Sequence, residues 1–236
     1  MVKSISAASV HHDLKALATP AQKSVVMKFF KTGKGQYGEG DIFLGVMVPQ
    51  TRTVAKKHAD LSLAEIKKLL HSKIHEDRLC ALFILTEQFQ KATDTKQKTI
   101  FDLYLRNTKH INNWDLVDQS AHPIVGKYLL DKPKDILYTL ARSKNLWQRR
   151  IAIVATYAFI QSKKFNDTFA IAEIFLNDTH DLIHKATGWM LREAGKRSTR
   201  ELVSFLDKHA QEMPRTMLRY SLEKFPEIQR KTYMKR

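Results

Sequence analysis

Trp114 and Asp118 stand four residues apart in Asn112-Asn113-Trp114-Asp115-Leu116-Val117-Asp118. On a helix that spacing makes them neighbours on one face. A carboxylate beside an indole can stabilise a cationic transition state, because a low-polarity wall strengthens the charge interaction. The same carboxylate could instead serve as a cap or pair with a nearby arginine. A second constellation lies in residues 180–196. At helical spacing Ile183, Ala186, Thr187, Met190 and Ala194 share one side, while Lys185, Trp189, Arg192 and Lys196 share the other. Tryptophan ordinarily goes to a core or an interface. An indole set among cations suits phosphates plus a sugar or base; the alternative is an indole packed on a neighbouring helix beside solvated cations. A third candidate is Trp147-Gln148-Arg149-Arg150, at the mouth of a helix that is apolar nearly all round. An arginine pair there calls for an anion, either a phosphate or a carboxylate such as Asp118. Trp147 falls on the side of Ile151 and Val154 and is assigned to the core.

Other patterns carry less. His180 and His184 have metal-ligand spacing, but no third ligand or glutamate base accompanies them, so no metal is expected. Cys80, the single cysteine, lies in Leu79-Cys80-Ala81-Leu82 and reads as a buried structural thiol; it excludes an internal disulfide and a cysteine-based zinc site. Gly33, Gly35, Gly38 and Gly40 are half of the eight glycines and imply a mobile loop over residues 32–41. Their order is not that of a nucleotide-binding P-loop. No cofactor is implied.

Helices must position these groups. Thr19-Pro20-Ala21-Gln22, Ser62-Leu63-Ala64-Glu65 and Ser198-Thr199-Arg200-Glu201 each read as a helix start with a capping box. An asparagine cap opens the helix of Trp114. Pro123 and Pro133 are expected to break helices. The apolar run after the glycines, Ile42 to Pro49, could be a strand, but it finds no partner strand and reads as a buried extended connector. Segments opening near His75, Asn112, Trp147 and Leu182 recur every 35 to 37 residues, the period of helix-pair solenoids. The expectation is an all-α fold, an α-α superhelix of HEAT-like repeats whose curved solenoid presents a concave face. Residues 1–236 are taken as a single domain, with 1–18 either less ordered or an N-terminal helix.

Net charge narrows the partner. The 236 residues carry 40 Lys and Arg against 24 Asp and Glu, a formal charge of +16. The excess is +7 over residues 1–130 and +9 over 131–236, so the folded body itself is cationic. Nucleic acid suits such a body better than a membrane surface. No stretch approaches 18 apolar residues and the N-terminus lacks the apolar part of a signal peptide. A cytoplasmic, nucleoid-associated location is expected.

Phe43-Leu44-Gly45-Val46…Pro49…Arg52, Trp114-Asp115-x-Val117-Asp118, Trp147-x-x-Arg150-x-Ala152-Ile153 and Lys185-Ala186-x-Gly188-Trp189-x-Leu191-Arg192-Glu193 occur in that order. Together they resemble the AlkD family of DNA alkylation repair enzymes over roughly residues 20–200. The resemblance implies a monofunctional DNA glycosylase that removes 3-methyladenine and 7-methylguanine from duplex DNA without base flipping; a monomer is the default for a groove that must receive a duplex. The resemblance gives Trp114 and Trp189 contacts to the lesion's deoxyribose, Asp118 the catalytic carboxylate, and Arg150 a place at the DNA backbone. Arg149, Lys185, Arg192 and Lys196 join Arg150 as candidate DNA-binding cations. The sequence departs from the family's best-known form at Met47-Val48, where a polar pair is usual, at Phe29, where a tyrosine stands, and in the longer 33–40 loop. These departures fall on the N-terminal grip on DNA. The alternative is a non-catalytic member that binds damaged or branched DNA.

Overall fold

The computed structural model describes residues 5–235. They are helical almost throughout, and the chain resolves into two compact units, Met1–Ser120 and Ala121–Arg236.

The first unit contains α1 (Ala7–Ala16), α2 (Pro20–Phe29), α3 (Val48–Lys57), α4 (Leu63–Leu70), α5 (His75–Gln90), α6 (Asp94–Arg106) and α7 (Trp114–Ser120). Helix α5 is its axis. Every residue from His75 to Leu85 is buried, and α3, α4, α6 and α7 pack against it. A helix apolar on most sides belongs in the middle of its neighbours. The buried Cys80 is part of this packing. The expected starts at Thr19 and Ser62 are present, each hydroxyl accepting from the backbone N–H three residues on. Glu65, however, does not close a capping box. Its carboxylate accepts from the Ala7 N–H at 2.8 Å and so ties α1 to α4. Of the segment expected to be a helix or less ordered, Ala7–Ala16 is helical and residues 1–4 lie outside the described residues.

The run expected as a connector is extended only from Ile42 to Met47, since Val48 and Pro49 open α3; it has one parallel bridge, Ile42 to Ile74, and no further strand pairing among the described residues, and it buries Phe43 and Val46 but exposes Ile42 and Met47. Its backbone is held by a side chain instead. The buried Glu76 carboxylate accepts from the N–H groups of Leu44, Gly45 and Val46 at 3.0, 2.8 and 3.2 Å. A buried carboxylate must find such donors.

The second unit opens on a π-helical turn, Ala121–Gly126, and continues through α8 (Lys127–Leu129), α9 (Asp135–Ala141), α10 (Leu146–Ala155), α11 (Tyr157–Gln161), α12 (Asn166–Ile174), α13 (Asp181–Gly195), α14 (Thr199–His209), α15 (Arg215–Ser221) and α16 (Glu227–Lys235). Pro123 therefore does not end a helix as its residue type suggests. The turn widens around the ring, which cannot donate to the ladder, and helix resumes at α8. Pro133 does fall between helices. Helices α10 and α13 are the packed centre, with α9 and α12 against α10 and with α14 and α15 against α13. Trp147 is core, and Ser198 caps α14 through the Glu201 N–H.

Gly188 shows why glycine precedes Trp189. A Cβ there would lie 2.5 Å from the Met217 carbonyl oxygen and 2.5 Å from Tyr220 Cβ, where α13 and α15 cross. Gly188→Ala is expected to lower unfolding stability by about 1–3 kcal/mol, read as a drop in the urea midpoint; an unchanged midpoint would show that the crossing can open without cost.

Candidate active site

In the first unit, α7 begins at Trp114 because Asn113 caps it. The Asn113 Oδ1 accepts from the Trp114 N–H at 2.8 Å, and its Nδ2 donates to Asp41 Oδ2 at 3.0 Å. Of the two asparagines, the buried Asn113 makes the cap. Trp114 is half-buried in an aromatic cluster. Its ring stacks on Phe30 at 5.1 Å, meets Phe29 edge-on at 5.4 Å, and its Nε1–H donates to the Tyr37 hydroxyl at 3.2 Å. Phe29 itself is 64% exposed. Asp118 is half-buried one turn after Trp114. Its charge is felt by Tyr104, whose buried hydroxyl pairs with Ser120 at 2.9 Å. Burial above all, and Asp118 after it, push the Tyr104 pKa well up against the lowering effect of the Ser120 bond. Arg52, stacked 4.0 Å over the Phe83 ring, donates to the Gln119 side chain beside Asp118.

Beneath α7 lies a buried ionic network that spacing along the chain does not reveal. His75 donates from Nε2 to Asp115 Oδ2 at 2.8 Å and from Nδ1 toward Asp41 Oδ2 at 3.4 Å. Asp41 also receives Arg78 Nη2 at 2.6 Å. Burial alone lowers an imidazole pKa, but the Asp115 carboxylate and the bond to Asp41 outweigh it and raise His75 to about 9. The imidazole ring stacks on Phe43 at 4.6 Å and meets Phe30 at a tilt at 4.9 Å. Asp115, His75 and Asp41 thereby join the helix of Trp114 and Asp118, the start of α5, and the end of the glycine loop.

That loop has its own hydrogen bonds. The Gly33 N–H donates to Gln36 Oε1 at 3.0 Å and the Gly35 N–H to Glu39 Oε2 at 2.7 Å. It delivers Tyr37 to Trp114. Met47, one of the departures noted in the sequence, is exposed ahead of α3.

In the second unit, α13 has the two sides its spacing predicts. Ile183, Ala186, Thr187, Met190 and Ala194 are buried; Lys185, Trp189 and Arg192 are half-buried, and Lys196 is exposed. The cations of that face hold carboxylates. Lys185 pairs with Asp181 at 2.6 Å, Arg192 with Glu223, and Lys196 with Glu193 at 2.6 Å. Arg149 Nε donates to Asp178 Oδ2 at 2.7 Å, so its anion is a carboxylate of this unit. Arg150 is buried and donates to the Leu182 carbonyl at 2.5 Å. His180 and His184 have structural partners: His180 Nδ1 accepts from the Leu182 N–H, and His184 Nε2 bonds the Asp178 carbonyl. Trp189 faces Tyr157 at 6.2 Å, and Tyr157 meets His122 at 5.1 Å with rings nearly perpendicular. Burial, with Lys127 second, lowers the His122 pKa to about 4. Neither Tyr157 nor His122 is signalled by local pattern, except that His122 precedes the proline of the π-turn.

The fold is helical, with a carboxylate–indole turn on α7 of the first unit and an indole among cations on α13 of the second. The chain belongs to the DNA alkylation repair enzyme family, whose profile matches residues 10–225. Its fold is that of a solved structure described as "Predicted DNA alkylation repair enzyme from Enterococcus faecalis", with a TM-score of 0.69 at 13% sequence identity, covering 89% of this chain and 97% of the other. No curated protein matches the chain significantly in sequence. Among the described residues no helix is long and apolar enough to cross a membrane.

Because His75 is protonated more readily folded than unfolded, its contribution is fully present below about pH 6.5 and is lost as pH rises through about 9. Thermal unfolding should therefore show Tm falling between pH 6.5 and 9.5, with the slope reduced in His75→Gln. An identical slope in both proteins would remove His75 as its source.

Proposed function

We propose that the protein is a monofunctional DNA glycosylase that acts as a monomer on double-stranded DNA and hydrolyses the N-glycosidic bond of alkylated purines, 3-methyladenine and 7-methylguanine, with the lesion left stacked. The supporting observation is the turn that sets half-buried Asp118 beside half-buried Trp114, with Asp115 anchored below it. An N-alkylated purine already carries positive charge and departs as a neutral base, so no general acid is required. One carboxylate then suffices, unlike the two of sugar hydrolysis. Asp118 stabilises the oxocarbenium charge that grows on the deoxyribose and orients the attacking water. The indole face of Trp114 favours that cationic sugar, and Trp189 offers an indole of the same kind for deoxyribose contact.

Phosphates are held without reading sequence. Lys185, Arg192 and Lys196 have carboxylate partners, but ion pairs of this kind near the surface are worth only about 0–1 kcal/mol, so exchanging a carboxylate for a phosphate costs little. Arg150 takes the place beside the lesion's backbone. Arg149, bonded to Asp178 and to the Ser143 and Lys144 carbonyls, holds the mouth of α10 in register for it.

The test is release of free base from duplex DNA methylated to carry both lesions, measured by mass spectrometry. The unaltered protein should release both bases, and Asp118→Asn should lower the single-turnover rate by about 100-fold or more while duplex binding persists. Full release by Asp118→Asn would contradict the carboxylate's role. Binding by the unaltered protein with no release would identify a non-catalytic reader of damaged or branched DNA instead.

A further inference from the structure

Tyr157 is the first residue of α11 and lies in the half-buried aromatic row His122–Tyr157–Trp189 of the second unit. Three features of this row are unlike a core cluster. All three rings are partly open to solvent. The Tyr157 hydroxyl has no hydrogen-bond partner among the described residues, yet it is not among their buried unpartnered atoms, so it faces solvent. Arg197 lies over the same ring at 5.6 Å; only its Nη1 is engaged, with Glu193, and Nε and Nη2 have no partner among the described residues.

The backbone is shaped to present this row. His122 sits in the π-turn, an element that recurs at functional positions. Gly126 of that turn lies against the end of α10, where a Cβ would come 2.1 Å from the Ala155 carbonyl oxygen. This close approach brings His122 up to Tyr157, two residues after Ala155. The result is a phenol O–H and a guanidinium edge pointing outward beside an indole. That set matches a sugar-phosphate backbone: tyrosine hydroxyls and arginines are common phosphate donors, and the indole takes the sugar.

We propose that Tyr157 is a DNA-backbone contact. Its hydroxyl donates to a non-bridging oxygen of the phosphate next to the nucleotide whose sugar rests on Trp189, and Arg197 supplies the neighbouring positive charge. His122 acts through Tyr157, its ring edge fixing the phenol. The proposal rests on the reading of the protein as an enzyme of duplex DNA and adds a residue to that contact surface.

The experiment couples Tyr157→Phe to single methylphosphonate linkages placed one at a time around an alkylated purine, with duplex binding read by fluorescence anisotropy. Tyr157→Phe should weaken binding of the normal duplex by about tenfold. One linkage should weaken the unaltered protein but weaken Tyr157→Phe no further, since phosphate and hydroxyl are then partners. Losses that multiply at every linkage, or Tyr157→Phe binding as tightly as the unaltered protein, would overturn the proposal while leaving the DNA reading intact. Failure of the unaltered protein to bind any duplex would overturn both.

Discussion

The first unit is organised around a buried imidazole held between two carboxylates, which favour its charged form. His75 lies at the N-terminus of α5, 2% exposed, between Asp115 and Asp41. A buried cation of this kind is tolerable only because two carboxylates and a pair of aromatic faces replace its hydration. The helix N-terminus itself disfavours a cation there, so the carboxylates must be held close. Holding them close fixes three segments that are far apart in the chain: the end of the glycine loop, the start of α5 and the first turn of α7. Trp114 and Asp118 inherit their position from that arrangement.

Asp41 carries an unusual load. It accepts from Arg78 and Asn113 while facing His75, and its pKa stays below the ordinary carboxylate value although burial pushes the other way. Through Asn113 the same carboxylate reaches the cap of α7. The loop that ends in Asp41 also delivers Tyr37 to the Trp114 indole. Order in the loop, the cap and the indole is thus one linked property. Networks of this type are sensitive to the loss of a single member, because a buried group left unpartnered costs more than its bond contributed.

Much of this was legible beforehand, and the limits have a physical basis. Helix starts at Thr19, Ser62 and Ser198 depend on residues within one turn, and sequence shows them directly. The two sides of α13 follow from its period, as does the core position of Trp147. The 35–37-residue spacing located the openings of α5, α7, α10 and α13. Partners brought in by tertiary packing were not legible. His75 and Asp115 are 40 residues apart, and Arg192 of α13 meets Glu223, 31 residues on in the turn after α15. Glu65 looked like half of a capping box, yet Ala7 takes its carboxylate. Pro123 has the chemistry of a breaker, and only the observed widening of the backbone shows how a helix accommodates it. Resemblance supplied roles for Trp114, Asp118, Arg150 and Trp189; it said nothing of His75, Asp41 or Tyr157.

The claim on which the site's geometry depends is that His75 is an imidazolium in the folded protein. Its ring nitrogens report this directly in ¹⁵N-detected histidine spectra of the labelled protein, assigned with His75→Gln. Near pH 7.5 both nitrogens should carry protons and give imidazolium shifts, converting to the neutral pattern only as pH approaches about 9. A neutral single-tautomer signal for His75 at pH 7.5 would contradict the account, since the Asp41–His75–Asp115 junction would then lack the charge that holds it together.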